Sequence, residues 1–214
     1  MEPKDWWRAV FMLRYFNDEY SSSNAFRELE EMWKSDFHGA KPLVWPSQWP
    51  EHKPLVAILA FVLMKNHIHF LLKQLREGGI TKFMRKLKTG MANSFNIKYN
   101  QVGSLFQGKY KGKLIEDDTY LMYLSVYIQV KNAFERYPEG GLNGALKNFD
   151  KAYDWAAQDL FTSLGDYAGK RNSPIIEKDV LGGMFSSPEK YKEFAKQCML
   201  GMNLDERLGK LKID

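Results

Sequence analysis

The sequence has a single cysteine, Cys198, among its 214 residues. One thiol cannot close a disulfide within a chain, and it excludes a zinc site built from cysteines. No apolar run reaches the roughly 20 residues that a membrane-spanning helix needs. Residues 1–11 also lack the basic and apolar segments of a signal peptide. These absences predict a cytoplasmic protein with no membrane partner.

Aspartate and glutamate are absent from Thr81 to Ile115, a stretch that carries eight lysines and arginines. A solvated helix face usually mixes charges of both signs. The stretch therefore predicts an anion-binding surface, and the phosphates of a nucleic acid are the expected anion. The formal net charge of +5 permits such a partner without requiring it. The phosphate contacts predicted from charge alone are Lys82, Arg85, Lys86, Lys109, Lys111 and Lys113.

Apolar periodicity and turn residues predict the order helix, helix, strand, strand, helix, strand, helix, followed by a helical tail. The helices are predicted over 5–18, 21–33, 80–100 and 117–135, and the strands over 55–64, 67–75 and 103–116; a proline-rich loop covers 41–54. This order is typical of an α+β protein with an antiparallel sheet and helices on one face. We predict one domain over residues 1–137 and a C-terminal helical extension over 138–214.

The second predicted strand contains two histidines at alternate positions, in the segment HIHFLLK that begins at His67. Alternate side chains of a strand share one face, so His67 and His69 project side by side. Two imidazoles placed this way can bind one divalent metal ion, although such a pair is also found simply as polar residues on a half-exposed face. The opposite face, with Ile68, Phe70 and Leu72, is predicted to enter the core.

The helix predicted over 117–135 carries three tyrosines, Tyr120, Tyr123 and Tyr127. A buried tyrosine on a helix is usually a core residue with a satisfied hydroxyl. Next to a phosphate that is polarised by a metal ion, a tyrosine can instead act as a nucleophile. The residues alone leave both interpretations open and predict a basic nucleic-acid-binding domain.

Four segments of the chain together resemble one family. The segment LMKNHIHFLLK, residues 63–73, resembles the histidine–hydrophobe–histidine motif of the HUH superfamily of single-strand DNA nucleases. The segments LFQGKYK and YLSVYIQVKN, which follow it, resemble those of REP-associated tyrosine transposases, relatives of the single-tyrosine insertion-sequence transposases. A later S-x-x-x-Y-x-G element, residues 163–169, is similar to one found in the same family.

The resemblance implies a ferredoxin-like HUH fold in which His67 and His69 bind Mg²⁺ or Mn²⁺ and Tyr127 is the nucleophile. The family's third ligand is commonly an amide one helical turn after the tyrosine, where this chain has Lys131. The resemblance leaves Asn132 and Gln129 as alternatives for that ligand. The implied DNA contacts are Lys65, Asn66, Lys82, Arg85, Lys86, Lys88, Gln107, Lys109, Lys111, Lys113 and Lys131.

The implied activity is nicking and rejoining of single-stranded DNA, on hairpins of the REP type, through a 5′-phosphotyrosine intermediate. The alternative is a catalytically silent or domesticated domain of the same fold that only binds nucleic acid. Family members begin with a strand before the first helix, and the sequence shows no counterpart of that strand. Relatives include both monomers and homodimers, so either state is compatible with the resemblance.

Overall fold

A computed structural model describes residues 3–22, 24–25, 27–28 and 43–201. Its contacts divide the chain into two compact units. The first unit contains the described residues of Met1–Ala57 and Lys73–Tyr110, and the second contains those of Ile58–Leu72 and Lys111–Asp214. The boundary predicted between residues 137 and 138 falls inside the second unit and stays a prediction.

The first unit contains two helices that pack together, α1 (Pro3–Tyr15) and α2 (Gly79–Tyr99). Both were predicted from their apolar periodicity, and both are confirmed. Gly90 of α2 is required by packing, because a Cβ atom there would lie 2.0 Å from the ring of Phe16. Residues 43–54 contain no helix or strand, as predicted. The helix predicted over 21–33 lies largely outside the described residues.

The sheet consists of β1 (Val56–Leu63) and β2 (Ile68–Gln74), which pair as an antiparallel hairpin. Every residue of β1 is buried. Burial on both faces explains why β1 is an unbroken apolar run with no polar alternation. The hairpin closes where the Met64 N–H donates to the carbonyl of His67 at 2.8 Å. Residues 58–63 and 68–72 of the two strands belong to the second unit.

Helices dominate the rest of the second unit. The first, α3 (Asp118–Val126), starts where the Asp117 carboxylate accepts the N–H of Tyr120 at 2.6 Å, which confirms the predicted acidic cap. It continues through a π turn, Tyr127–Lys131, into the short helix α4. The helices after the π turn are α4 (Asn132–Phe134), α5 (Gly141–Lys147), α6 (Phe149–Gln158), α7 (Leu164–Tyr167), α8 (Asp179–Gly183) and α9 (Pro188–Leu200).

Residues of the C-terminal part cover the edge of β1 that β2 leaves open. Thr162 forms an antiparallel bridge with Val62. The Leu63 N–H donates to the carbonyl of Phe161 at 2.8 Å, and the carbonyl of Phe61 accepts the N–H of Ser163 at 3.0 Å. The S-x-x-x-Y-x-G element that starts at Ser163 is therefore part of the same fold as the hairpin.

The strand predicted over 103–116 is wrong, because the structure assigns no strand to these residues. Gly103 and Gly108 have φ angles of 100° and 103°, which an extended strand does not adopt. Most side chains of the stretch, including the three alternating lysines from Lys109, are exposed, so no apolar face holds it against the sheet. The α+β class with C-terminal helices is nevertheless confirmed. Within the described residues, no helix combines the length and the apolar character needed to cross a bilayer.

Candidate active site

One residue of β2, Leu71, is fully buried. It lies two residues after His69, on the histidine face, and is only 3% exposed. Ile68, Phe70 and Leu72 are only half-buried. The prediction that these three residues enter the core is therefore met only in part, and the histidines lie at the open end of the face that Leu71 anchors.

His67 and His69 lie together, as their spacing predicts. Their ring centroids are 4.7 Å apart, and the two rings are nearly perpendicular. The Nδ1 atom of His67 lies 2.7 Å from the side-chain oxygen of Asn66. Because that oxygen can only accept, Nδ1 donates in this contact. In the neutral ring, Nε2 would then keep the lone pair that can bind a metal ion.

Tyr127 is the helix tyrosine that meets the histidines. Its ring stands edge-on to His69 with the centroids 5.9 Å apart, and the residue is only 7% exposed. Tyr123 packs instead against Phe194, at 5.4 Å between ring centroids. Tyr120 lies under the amine of Lys113. All these residues belong to the second unit, so the histidine–tyrosine cluster is built within one compact body.

A π turn begins at Tyr127. The N–H of Asn132 donates to the carbonyl of Tyr127, five residues earlier, where an α-helix would bond four residues apart. Such single-turn insertions occur frequently at functional sites. Lys131, four residues later, lies close to the tyrosine: its Nζ atom is 5.0 Å from the ring centroid of Tyr127. The same amine pairs with Glu135 at 2.6 Å.

Gln129 holds the π turn to the rest of the second unit. Its Nε2 donates to the Tyr191 hydroxyl at 2.9 Å, and its Oε1 accepts from the Ser163 hydroxyl at 2.8 Å. Ser163 also accepts the N–H of Phe61, so one hydroxyl joins the tyrosine helix to β1. The fully buried Gln129 amide therefore has both of its ends hydrogen-bonded in the core.

Asn132 is the other candidate for a third ligand. It is 2% exposed, and its side-chain nitrogen is buried without a hydrogen-bond partner. An unpartnered buried N–H is costly, and an acceptor such as a phosphate oxygen would satisfy it, whereas a metal ion would bind the amide oxygen. Among the described residues, no group of three His, Cys, Asp or Glu side chains could hold a metal ion. Two imidazoles and an amide oxygen would suit Mn²⁺ or Mg²⁺ if DNA or water completed the set.

The predicted DNA contacts are divided between the two units, and they differ in exposure and in hydrogen-bond partners. Arg85, Gln107 and Lys109 are exposed in the first unit. The amine of Lys86 points inward and donates to the carbonyls of Asp18 and Tyr20 at 2.7 and 2.5 Å. Two other amines also donate to backbone carbonyls, that of Lys82 to Glu19 and that of Lys88 to Gly108. In the second unit, the exposed predicted contacts are Lys65, Asn66, Lys111 and Lys113.

Lys86 gives the first unit a pH-dependent stability. Burial lowers the pKa of Lys86 from 10.5 to about 8. Between these values the unfolded chain binds more protons than the folded one, so the free energy of unfolding increases as the pH rises. We expect wild type to gain stability relative to Lys86→Met between pH 8 and pH 10.5 in urea unfolding. A difference between the two proteins that stays constant across this range would contradict the prediction.

Sequence reasoning missed Ser163, Tyr191 and Glu135 as residues that support the site. Glu135 could have been found, because a lysine and a glutamate four residues apart on a helix are neighbours. Ser163 lay in the S-x-x-x-Y-x-G element, but nothing in the sequence indicates that its hydroxyl reaches Phe61 and Gln129. Tyr191 carries no local signal, since its contacts come from a distant helix.

The cluster belongs to a basic α+β protein in which two neighbouring histidines lie at the start of a strand and one of them, His69, contacts a helical tyrosine. Residues 51–131 of the chain match the family model described as "Transposase IS200 like". The match spans β1, β2, α2, α3 and the π turn, and it confirms for this segment the transposase family that the motifs predicted. The family supports transposase-like action on DNA. Comparisons with curated proteins and with solved structures gave no match.

Proposed function

We propose that the protein nicks and rejoins single-stranded DNA, with Tyr127 as the nucleophile. The observation that carries the proposal is the edge-on contact between the rings of Tyr127 and His69, at 5.9 Å between their centroids. The proposal puts the phosphate at the Tyr127 hydroxyl, with the His69 ring beside the tyrosine ring and the His67 ring beside that of His69. The transposase family of residues 51–131 supports DNA as the substrate.

In the proposed reaction, the Tyr127 oxygen attacks a phosphorus atom of the DNA backbone. A bond from phosphorus to the tyrosine oxygen forms while the bond to the 3′ oxygen breaks. The phenol loses its proton and the departing 3′ oxygen gains one, which leaves a 5′-phosphotyrosine and a free 3′-hydroxyl. Attack of a 3′-hydroxyl on the phosphotyrosine reverses the step, so rejoining needs no nucleotide cofactor.

His67 and His69, with Asn132 as the third candidate, are the residues that would hold Mg²⁺ or Mn²⁺. When bound, the ion would withdraw electron density from the phosphate and neutralise the charge that develops on it. Asn66 accepts from Nδ1 of His67 at 2.7 Å, which in the neutral ring would leave Nε2 for the ion. Gln129 and Ser163 fix the backbone of the π turn, and so fix the position of the Tyr127 ring relative to His69.

The test uses the full chain and a pool of labelled single-stranded hairpins with randomised flanking nucleotides. After incubation with Mn²⁺, we expect a labelled protein–DNA adduct that survives denaturation and that EDTA prevents. Peptide mapping of the adduct should find the modification on Tyr127. DNA binding without any adduct would favour the silent nucleic-acid-binding alternative, and an adduct on Tyr120 or Tyr123 would overturn the assignment of the nucleophile.

A further inference from the structure

The side chain of Lys131 lies against the proposed nucleophile, and among the described residues its ion-pair partner is Glu135. Its amine is 5.0 Å from the centre of the Tyr127 ring and 2.6 Å from a carboxylate oxygen of Glu135. The Lys131 side chain is 19% exposed, and that of Glu135 is 38% exposed. The ammonium is thus partly shielded beside the tyrosine, while its carboxylate partner is the more solvated member of the pair.

The position of this ammonium matters because of where the reacting phosphate must lie. A phosphorus atom that bonds to the Tyr127 oxygen brings its non-bridging oxygens to the outer end of the same ring. Lysine has a compact charge on a flexible stem, so rotation of that stem can carry the ammonium from the Glu135 carboxylate to a phosphate oxygen. A charge-assisted hydrogen bond made in a shielded place is stronger than one made in open water.

We propose that Lys131 binds a non-bridging oxygen of the phosphate that Tyr127 attacks, and that it leaves Glu135 when DNA enters. The inference rests on the proposed function, since it takes Tyr127 as the nucleophile. Glu135 holds the ammonium at the site in the free protein and competes with the phosphate for it. Lys131 is then a catalytic residue, because its charge stabilises the negative charge that builds on the phosphate during transfer.

An ion pair of residues four apart on a helix can also be purely structural, and the test must separate the two roles. The chain offers a matched control in Lys151, whose amine pairs with Glu139 at the same distance of 2.6 Å in the second unit. Lys131→Met and Lys151→Met each remove one ion-paired lysine and keep most of its length. Lys131→Arg retains the charge, and Glu135→Gln releases the lysine from its competitor.

The first measurement is the single-turnover rate of adduct formation on the hairpin pool. We expect Lys131→Met to lower this rate roughly 100-fold or more, as the loss of one transition-state donor does. Lys131→Arg should recover most of the loss, and Lys151→Met should stay within about threefold of wild type. Glu135→Gln should form adduct at least as fast as wild type, because it releases the lysine from its competitor. A Lys131→Met rate equal to that of wild type overturns the inference. So does an equal fall in Lys131→Met and Glu135→Gln, which would show a structural ion pair.

The second measurement is the salt dependence of hairpin affinity, which does not require cleavage. Loss of one phosphate contact to single-stranded DNA should reduce the slope of log affinity against log salt by about 0.7. We expect this change in Lys131→Met and not in Lys151→Met; an unchanged slope in Lys131→Met overturns the inference. If wild type forms no adduct, the proposed function fails, yet this slope still decides whether Lys131 contacts phosphate.

Discussion

The Tyr127→Phe variant is expected to form covalent adduct at a rate lowered by roughly 10⁴-fold or more, the scale on which removal of an enzyme nucleophile acts. Phenylalanine keeps the ring that packs against His69 and removes only the hydroxyl. Because Tyr127 is only 7% exposed, the apolar replacement should be tolerated by its surroundings. The variant should therefore fold, bind hairpin DNA with an affinity close to that of wild type and leave the DNA intact.

The matched control for this variant is Tyr123→Phe. Tyr123 lies one turn earlier on the same helix and is buried to a similar degree, at 8% exposed, but its ring packs against Phe194. Adduct formation by Tyr123→Phe, measured on denaturing gels, should equal that of wild type. Circular dichroism checks that both variants keep the wild-type fold. Adduct formation that survives in Tyr127→Phe, or disappears equally in both variants, would exclude Tyr127 as the nucleophile.

Replacement of both His67 and His69 by alanine is expected to abolish Mn²⁺ binding and to slow adduct formation roughly 10²-fold or more. The centroids of the two imidazoles lie 4.7 Å apart, and the ring of His69 contacts the ring of Tyr127. Stability should change little, because His67 is exposed and His69 is half-buried. Isothermal titration with Mn²⁺ measures the binding, and the labelled hairpin pool measures the rate.

His52 provides a control for the removal of a histidine outside the proposed metal site. It lies in the first unit, where its ring nitrogen contacts the carbonyl of Asn17 at 3.1 Å. His52→Ala should keep both the Mn²⁺ affinity and the adduct rate, even if it lowers thermal stability. A double histidine variant that still forms Mn²⁺-dependent adduct would show that the ion binds elsewhere.

The hairpin and the long helices were predictable because their signals are local. An unbroken apolar run defines β1, and apolar residues at helical spacing define α1 and α2. The prediction of a third strand was wrong for a related reason. The alternating lysines around Tyr110 have the period of a strand, although the stretch has no apolar face to bury. The edge of β1 is covered instead by residues 161–163. That pairing joins segments far apart in the sequence, and no local pattern indicates it.

The candidate site was predictable in its residue types and less so in its geometry. Strand alternation is sufficient to place His67 beside His69, and the resemblance to transposases selects Tyr127 among the three tyrosines. The π turn could not be predicted, because its extra residue depends on packing rather than on local propensity. The buried amide of Gln129, held between Tyr191 and Ser163, is part of that packing. Sequence spacing alone therefore could not distinguish Lys131 from Asn132 as the residue that faces the tyrosine.

The bridge from Thr162 to Val62 also bears on how the chain avoids aggregation. β1, VAILAFVL, has no charge, proline or glycine, and it is a sequence of the kind that assembles into intermolecular cross-β structure when its edge is open. In the folded protein, residues 161–163 occupy that edge. During synthesis, however, the strand emerges about a hundred residues before the segment that covers it. Until residues 161–163 are synthesised, one edge of β1 in the nascent chain is therefore unpaired, and pairing with β2 and binding by chaperones must prevent its aggregation.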